Sequence, residues 1–330
     1  MELISEIGQA HDGSLGTLYS YIDSLKRSGI KVIKFQIHIP EAESSEFEKF
    51  RVNFSYQDKT RFDYWKRTSF SEDEWINIKK YCDKLNIEFL ASPFSIQAFE
   101  LLEKLNVKRY KIGSGELNNY LLLDKIKLTK KPIIISSGMS DLDEIKNTID
   151  RVKNSDITLL QCTTKYPTQP KEVGLNLIHT YKNLFKCKVG LSDHSGEIYS
   201  MLAATTLGVD MLEFHCVYDK NMFGPDSSSS LNFNQIEQLI EGVNYIEEIL
   251  KNPIDKNDIK HFNNEKKIFG KSLAVNKNLK KGHKLSITDL ESKKPYNFGI
   301  DPKNYKDILN KKINKKLNKW DFLNYEDLEK

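Results

Sequence analysis

"VGLSDHSGE", Val189 to Glu197, starts as an apolar run and ends on Ser192, Asp193 and His194 in succession. A second run, "VDMLEFHCVYD" from Val209 to Asp219, behaves the same way and turns polar around Glu213 and His215. Strands buried on both faces read as continuous apolar stretches. A run of that kind that closes on charged and hydroxyl groups delivers them to the C-terminal edge of a parallel sheet, where α/β barrels keep their active sites.

The same pattern extends outward through the chain. Runs of strand length, "LISEI" (3–7), "KVIKFQI" (31–37), "IEFLAS" (87–92), "RYKIGSG" (109–115), "PIIISS" (132–137) and "ITLLQCT" (157–163), alternate with segments of helical period. "FSEDEWINIKKYCDKLN" (70–86) and "SDLDEIKNTIDRVKNS" (140–155) are two such segments. Repeated strand–helix–strand crossovers require parallel strands, which leaves a doubly wound sheet or a closed barrel. A count near eight over roughly 250 residues selects the (β/α)8 TIM barrel. Ser71 with Glu74, and Ser140 with Asp143, read as helix N-caps.

The chain of 330 residues is longer than one core usually grows, so a second, smaller domain is expected. The barrel reading covers 1–252. The polar stretch over 253–270 reads as a linker or exposed helix. Residues 271–330, with short apolar segments among Lys and Asn, read as a small domain without a large core. A net charge of +4, small and spread though thicker from Lys266 onward, suits anionic small substrates as well as nucleic acid. The Lys-rich "NKKINKKLNKW" (310–320), with no ordered base-stacking aromatics beside it, reads as solvated surface rather than a nucleic-acid site. The four cysteines form no CxxC pair, the N-terminus has no secretory pattern, and no apolar stretch reaches membrane length. A soluble, cytoplasmic chain is the expectation.

Nearly every strand ends on a chemically active side chain: Glu6; Lys34 and Gln36; Ser92; Lys111, Ser114 and Glu116; Ser136 and Ser137; Thr163 and Thr164; Ser192, Asp193 and His194; Glu213 and His215. Lys34 and Lys111 offer fixed positive charge. The hydroxyls offer donors, and Gly113, Gly115 and Gly138 allow close backbone approach, so the substrate is expected to be anionic and phosphorylated. His194 and His215 end adjacent strands and can converge on one divalent transition metal, which suits imidazoles better than Ca²⁺ does. Glu6 is a general acid or base, or the partner of a lysine across the mouth. Two other readings share these residues. One is a Schiff-base aldolase or lyase with Lys111 or Lys34 as the amine nucleophile. The other is a catalytically silent sugar-binding or assembly protein, whose expected signature is the loss of site residues.

The stretches "EIGQAHDGSLG", "KFQIH", "ASPFS", "YKIGSGE", "ISSGMS", "QCTTKYP", "GLSDHS", "LEFH" and "GPDSSSS" resemble, in order, the motifs of the sialic acid synthase family. The tail "GKSLAVNKNLKKGHKLSITDLESKKP" resembles the start of that family's small antifreeze-like (SAF, β-clip type) domain. The resemblance implies a TIM barrel at 1–252 and a SAF domain at 271–330. It also implies condensation of phosphoenolpyruvate with an N-acylated hexosamine or deoxyamino hexose, giving a nonulosonic acid and phosphate. By the same resemblance His194 and His215 hold a divalent metal, Mn²⁺ first and Mg²⁺ or Co²⁺ next. Lys34, Lys111, Ser114, Ser136, Thr164 and Ser192 surround phosphoenolpyruvate, while Glu6, Gln36, Glu116, Tyr166 and Asp226 line the sugar side or the reacting centre. The small domain of relatives swaps onto a second subunit in a homodimer, where an arginine holds the sugar's N-acyl group. This chain has Lys294 there, a point charge in place of a planar fork. Ala10 and Gln161 also depart from residues frequent in relatives. The aromatic and arginine-rich insertion "SEFEKFRVNFSYQDKTRFDYWKRTSF" (45–70) reads either as a wall of the acceptor pocket or as a folded lid with its own aromatic cluster.

Overall fold

The structure is a computed structural model that describes residues 1–52 and 54–329. Two compact units separate at Asn252/Pro253. In the first, strands β1 (Glu2–Glu6), β2 (Val32–Ile37), β3 (Glu88–Pro93), β4 (Tyr110–Ile112), β5 (Ile133–Ser136), β6 (Ile157–Cys162), β7 (Lys188–Asp193) and β8 (Met211–His215) pair in chain order. All pairs are parallel, and β1 closes on β8 with Glu6 opposite His215. The eight-stranded (β/α)8 barrel expected from the alternation is what forms.

Two layers of apolar contact build it. Outward-facing strand residues such as Phe35, Phe89 and Ile135 pack on helices α1 (Leu15–Arg27), α4 (Glu72–Lys84), α5 (Ile96–Lys104), α6 (Tyr120–Leu128), α7 (Leu142–Val152), α8 (Asn176–Phe185), α9 (Tyr199–Thr206) and α10 (Phe233–Lys251), while the short helices α2 (Pro40–Glu43) and α3 (Arg61–Thr68) lie at the mouth. Inside the barrel Ile4, Val32, Leu90, Ile134, Leu160 and Met211 form a separate apolar plug. Side chains alternate along a strand, so the next inward positions up are Glu6, Lys34, Ser92, Ser136, Cys162 and Glu213. The plug is therefore the floor of the polar mouth.

β7 contributes no side chain to that floor. A Cβ on Gly190 would lie 2.4 Å from the Met211 carbonyl and 2.5 Å from Leu160 Cδ2, so only glycine fits there.

Local signals explain most element ends. Ser71 and Glu74 form the expected capping box of α4. The expected Ser140/Asp143 cap of α7 is shifted by one residue. Asp141 accepts from Glu144 N at 2.9 Å and Glu144 accepts from Asp141 N, because Ser140 N is already turned to Ser137 O. The run at 109–115 is strand only over Tyr110–Ile112 and then coils into a 3₁₀ turn at Ser114–Glu116, which carries both residues to the mouth.

The second unit begins with exposed chain over 253–269, including a 3₁₀ turn at Lys260–Phe262 and helix α11 (Asn263–Phe269), so the linker is partly helical. Beyond it, β9 (Ser272–Val275) pairs antiparallel with β10 (Leu290–Lys293). The remainder is an internal duplication: Val275–Glu291 recurs as Ile313–Glu329 at constant offset. Asn276 Nδ2 donates to Thr288 O and Leu290 O, and Asn314 Nδ2 donates to Glu326 O and Leu328 O. Val275 N bonds Asp321 O and Ile313 N bonds His283 O, both at 3.0 Å, while Leu279 and Leu317 exchange backbone bonds. The two copies interlock around Leu273, Val275, Leu279, Leu285, Ile313, Leu317 and Leu323, a core small enough to need every member.

Among the described residues no helix is long and apolar enough to cross a membrane, and all four cysteines are free.

Gly190→Ala is expected to destabilise the barrel by about 1–3 kcal/mol, since the added methyl must displace a backbone carbonyl. Urea titration measures it, and an unchanged midpoint would show that the floor has slack.

Candidate active site

Four ionisable side chains sit directly above the apolar floor and are almost inaccessible: Glu6, Lys34, Lys111 and Glu213. Lys34 Nζ lies 2.9 Å from Glu6 and 2.8 Å from Glu213, and Lys111 Nζ lies 3.3 Å from Glu213. Ser192 Oγ donates to Glu213 at 2.9 Å, and Lys111 donates to Ser136 Oγ at 2.6 Å. Burial works against every charge here, so the pairing decides which ones persist. Burial would raise the Glu6 carboxyl, yet His215 and Lys34 together hold it well below the usual carboxylate range. Lys34, between two carboxylates, is held above the ordinary lysine value despite its burial. Lys111 goes the other way: burial, aided by Lys34, outweighs its single carboxylate neighbour and pushes it down. The two lysines, expected to act alike, are thus shifted in opposite directions by their surroundings.

The strand-seven tip, Ser192, Asp193 and His194, divides its labour by alternation. Ser192 and His194 face the barrel interior. Asp193 faces the other way and ties the following loop by accepting from Ser195 N, Ser195 Oγ and Ser200 Oγ. His194 Nδ1 lies 3.1 Å from Thr163 O, an acceptor, so Nδ1 carries the proton and Nε2 presents its lone pair. Burial pushes the His194 imidazole down to about 4, keeping it neutral. The His215 ring lies 5.4 Å from it, with Nε2 3.0 Å from Glu6. Tyr166 covers both rings, at 4.2 and 6.1 Å. Among the described residues no group of three His, Cys, Asp or Glu gathers at metal-ligand spacing. Cys162 also lines the site, but burial raises its thiol to about 11, so it is no thiolate.

Beside Lys111, Thr164 Oγ1 donates to Ser114 Oγ at 3.1 Å. Their meeting depends on Gly138, which has φ +51° and whose missing Cβ would overlap Ser114 Cβ at 2.0 Å and Thr164 Oγ1 at 2.7 Å. Hydroxyls of Ser114, Ser136, Thr164 and Ser192 therefore stand around Lys34 and Lys111, donors of the kind an anion cradle needs.

The outer half of the cavity, which measures about 350 Å³ in all, is lined differently. Gln36 donates to Glu6 at 2.8 Å. Glu116, raised by burial, accepts from Asn119 at 2.7 Å. Arg51 reaches Asp226 at 2.6 Å and Pro225 O at 2.9 Å with its guanidinium 3.9 Å above the Tyr166 ring. The insertion supplies Glu48, Phe50, Arg51, Val52, Phe54, Arg61, Tyr64 and Trp65 to the lining, so it is at once a wall of the pocket and an aromatic cluster, with Phe54 centred 5.0 Å from Tyr64 and 5.4 Å from Phe223. Its Asn53 lies outside the described residues.

Of the expected site residues, Glu6, Lys34, Gln36, Lys111, Ser114, Glu116, Ser136, Thr164, Tyr166, Ser192, His194, His215 and Asp226 all line this one cavity. Lys294 belongs to the other unit, exposed, with Nζ 5.3 Å from the Phe269 ring. Sequence reasoning gave no role to Glu213, His38, Glu43 or Arg51. Glu213 and His38 had a signal: each stands two residues from an assigned group on the same strand or its extension, hence on the same face. Arg51 and Glu43 sit in irregular chain or a short helix, where periodicity says nothing. His11, prominent in the first motif, is buried against Phe70 with Nδ1 accepting from Gly13 N, and does not line the cavity.

A barrel mouth that gathers two lysines, a ring of hydroxyls and two imidazoles under a polar and aromatic outer chamber has the make-up of an enzyme site. A profile of the NeuB family matches residues 21–255. The chain belongs to that family, the sialic-acid-type, or nonulosonic acid, synthases. It is 32% identical to the pseudaminic acid synthase of Helicobacter pylori over 336 residues, covering 100% of this chain and 98% of that one. It is 33% identical to the N,N'-diacetyllegionaminic acid synthase of Campylobacter jejuni over 320 residues, 94% of each. The crystal structure of the N-acetylneuraminic acid synthetase of Leptospira borgpetersenii superposes with a TM-score of 0.70 at 26% identity, covering 80% of this chain and 89% of that one.

Glu213→Gln removes the anion shared by Lys34 and Lys111 and is expected to cost about 3–5 kcal/mol at pH 7. Without that partner the folded-state Lys111 falls further below its unfolded value. The folded variant then binds fewer protons than the unfolded chain, and its stability rises with pH up to the unfolded lysine value. The deficit against wild type should therefore shrink between pH 7 and 9.5 in urea titrations. A deficit independent of pH would place the cost elsewhere.

Proposed function

We propose that the enzyme condenses phosphoenolpyruvate with an N-acylated hexosamine or deoxyamino hexose, in a metal-dependent reaction that yields a nonulosonic acid and inorganic phosphate. One observation carries the reading: Lys34, Lys111 and four hydroxyls line a single cavity together with His194, His215 and Glu6. The donor's phosphate and carboxylate suit the cradle, and the acceptor suits the outer chamber of Gln36, Glu116, Tyr166, Asp226 and the insertion. Glu43 Oε2 and Glu213 Oε2, buried without partners among the described residues, are available to hydroxyl or amide donors.

His194 and His215 would hold a divalent ion, Mn²⁺ first, with Mg²⁺ or Co²⁺ as alternatives. His194 keeps a neutral ring with its Nε2 lone pair free, and His215, whose Nε2 lies 3.0 Å from Glu6, would join it once that nitrogen gives up its proton. An ion held there supplies a Lewis acid for the sugar's aldehyde oxygen. The residues do the rest. Lys34, Lys111 and the hydroxyls hold the enol phosphate with its methylene carbon toward the aldehyde, so that C3 of the donor bonds to the aldehyde carbon. The carbonyl π pair passes to the aldehyde oxygen, which takes up the proton released when water adds at C2. Glu6 and Glu213 stabilise the cationic C2 that results. Glu6, kept ionised by its neighbours, takes a proton from the water that adds at C2, and the C2–oxygen bond to phosphate then breaks.

The second unit's interlocked duplication and short strands support an antifreeze-like (SAF) domain of β-clip type. We further propose that it reaches the site of a second copy in a homodimer, with Lys294 toward the acceptor, and that four free thiols suit a cytoplasmic enzyme. The Schiff-base reading keeps one favourable observation, the depressed Lys111. Borohydride with a keto acid would trap that adduct, and chelator-resistant turnover would support it.

The test is phosphate release from phosphoenolpyruvate with Mn²⁺ and a panel of N-acetylmannosamine and diacetamido-trideoxyhexoses, with the product weighed by mass spectrometry. Turnover is expected with at least one sugar, and is lost with chelator and in His194→Ala. Sugar-independent phosphate release, or an unaffected His194→Ala, would refute the proposal.

In the same assay Arg51→Ala is expected to raise the acceptor KM by roughly 10-fold while leaving the phosphoenolpyruvate KM within about twofold. Equal changes in both would assign Arg51 to the scaffold instead.

A further inference from the structure

His38 continues the inward face of β2 past Lys34 and Gln36 and is buried. Its ring is clamped between Trp65, 3.8 Å away at 15°, and Phe94, 4.5 Å away at 11°, so it cannot turn. The protons follow from what surrounds it. Glu6 touches Lys34 at 2.9 Å and His215 at 3.0 Å, the setting of a carboxylate, which only accepts. Gln36 must then face it with its NH₂ group, as it does at 2.8 Å. Gln36 Oε1, also an acceptor, lies 3.0 Å from His38 Nε2, so Nε2 carries a proton. On the far side His38 Nδ1 lies 2.5 Å from Glu43 Oε1, a hydrogen bond that anchors the ring from the other end.

We infer that His38, locked by Glu43 and by the Trp65–Phe94 clamp, is a positioning residue that fixes the Gln36 amide so that its NH₂ group permanently donates to Glu6. The inference rests on the role of Glu6 proposed above. Without the Nε2–H donor the Gln36 amide is held only by its contact with Glu6, and its Oε1 is left without a partner, so the amide is less firmly fixed. A catalytic carboxylate that loses a fixed donor loses both orientation and basicity control. His38 touches none of the reacting groups itself, and acts through one side chain only.

His38→Phe keeps an aromatic ring in the clamp and removes both nitrogens, which separates the donor from the stack. With the sugar that wild type turns over best, kcat is expected to fall roughly 10- to 100-fold. His38→Phe added to Gln36→Ala should cost no more than about twofold beyond Gln36→Ala alone, because both remove one connection. Losses that multiply would overturn the inference, as would an unaffected His38→Phe. A second readout needs no turnover. In the full chain with ¹⁵N-histidine, the signal that disappears in His38→Phe should show a protonated Nε2 at neutral pH. An unprotonated Nε2 would refute the lock. If no sugar in the panel is turned over, the reading of the reaction fails, and the nitrogen signal alone decides the role of His38.

Discussion

The site depends on burying Lys34 between Glu6 and Glu213 on top of an apolar plug. A cation so far from water survives only with partners, and its two carboxylates survive only because Lys34, Lys111 and His215 answer them. Those five groups come from β1, β2, β4 and β8, so the ion network holds its geometry only when the barrel is closed in register. Closure and chemistry are the same constraint: the pairing of Glu6 with Lys34 on one side and His215 on the other is both the β1 ladder and the heart of the cavity.

That coupling explains why so much was legible. Interior strand positions alternate between floor and mouth, so an apolar run that ends in Ser192-Asp193-His194 or Glu213-Phe214-His215 announces both the fold and the side of it that works. Thirteen expected residues share one cavity because barrel topology, rather than proximity in sequence, brings strand tips together. What the sequence could not disclose was balance. Lys34 and Lys111 look alike as letters, and only the carboxylates around each separate a lysine held above its ordinary value from one pushed below it.

Other features escaped for lack of a period. Arg51 lies in irregular chain, and its ties to Asp226 and Tyr166 span loops after three different strands. The duplication in the second unit was hidden by divergence, since Asn276-Lys277 and Asn314-Lys315, or Asp289-Leu290-Glu291 and Asp327-Leu328-Glu329, are brief identities in a Lys- and Asn-rich background. Their meaning appears only when the paired hydrogen bonds are set side by side.

The division of the cavity into a strand-built half and an insertion-built half has an evolutionary corollary. Gly138 leaves the anion cradle no room for even one methyl group, so that half is frozen by packing. The opposing wall hangs from the chain between Ser45 and Phe70 and can lengthen, shorten or exchange aromatics without disturbing a single barrel pair. On the reaction proposed above, redrafting that one segment changes the acceptor side of the cavity and leaves the donor side as it is.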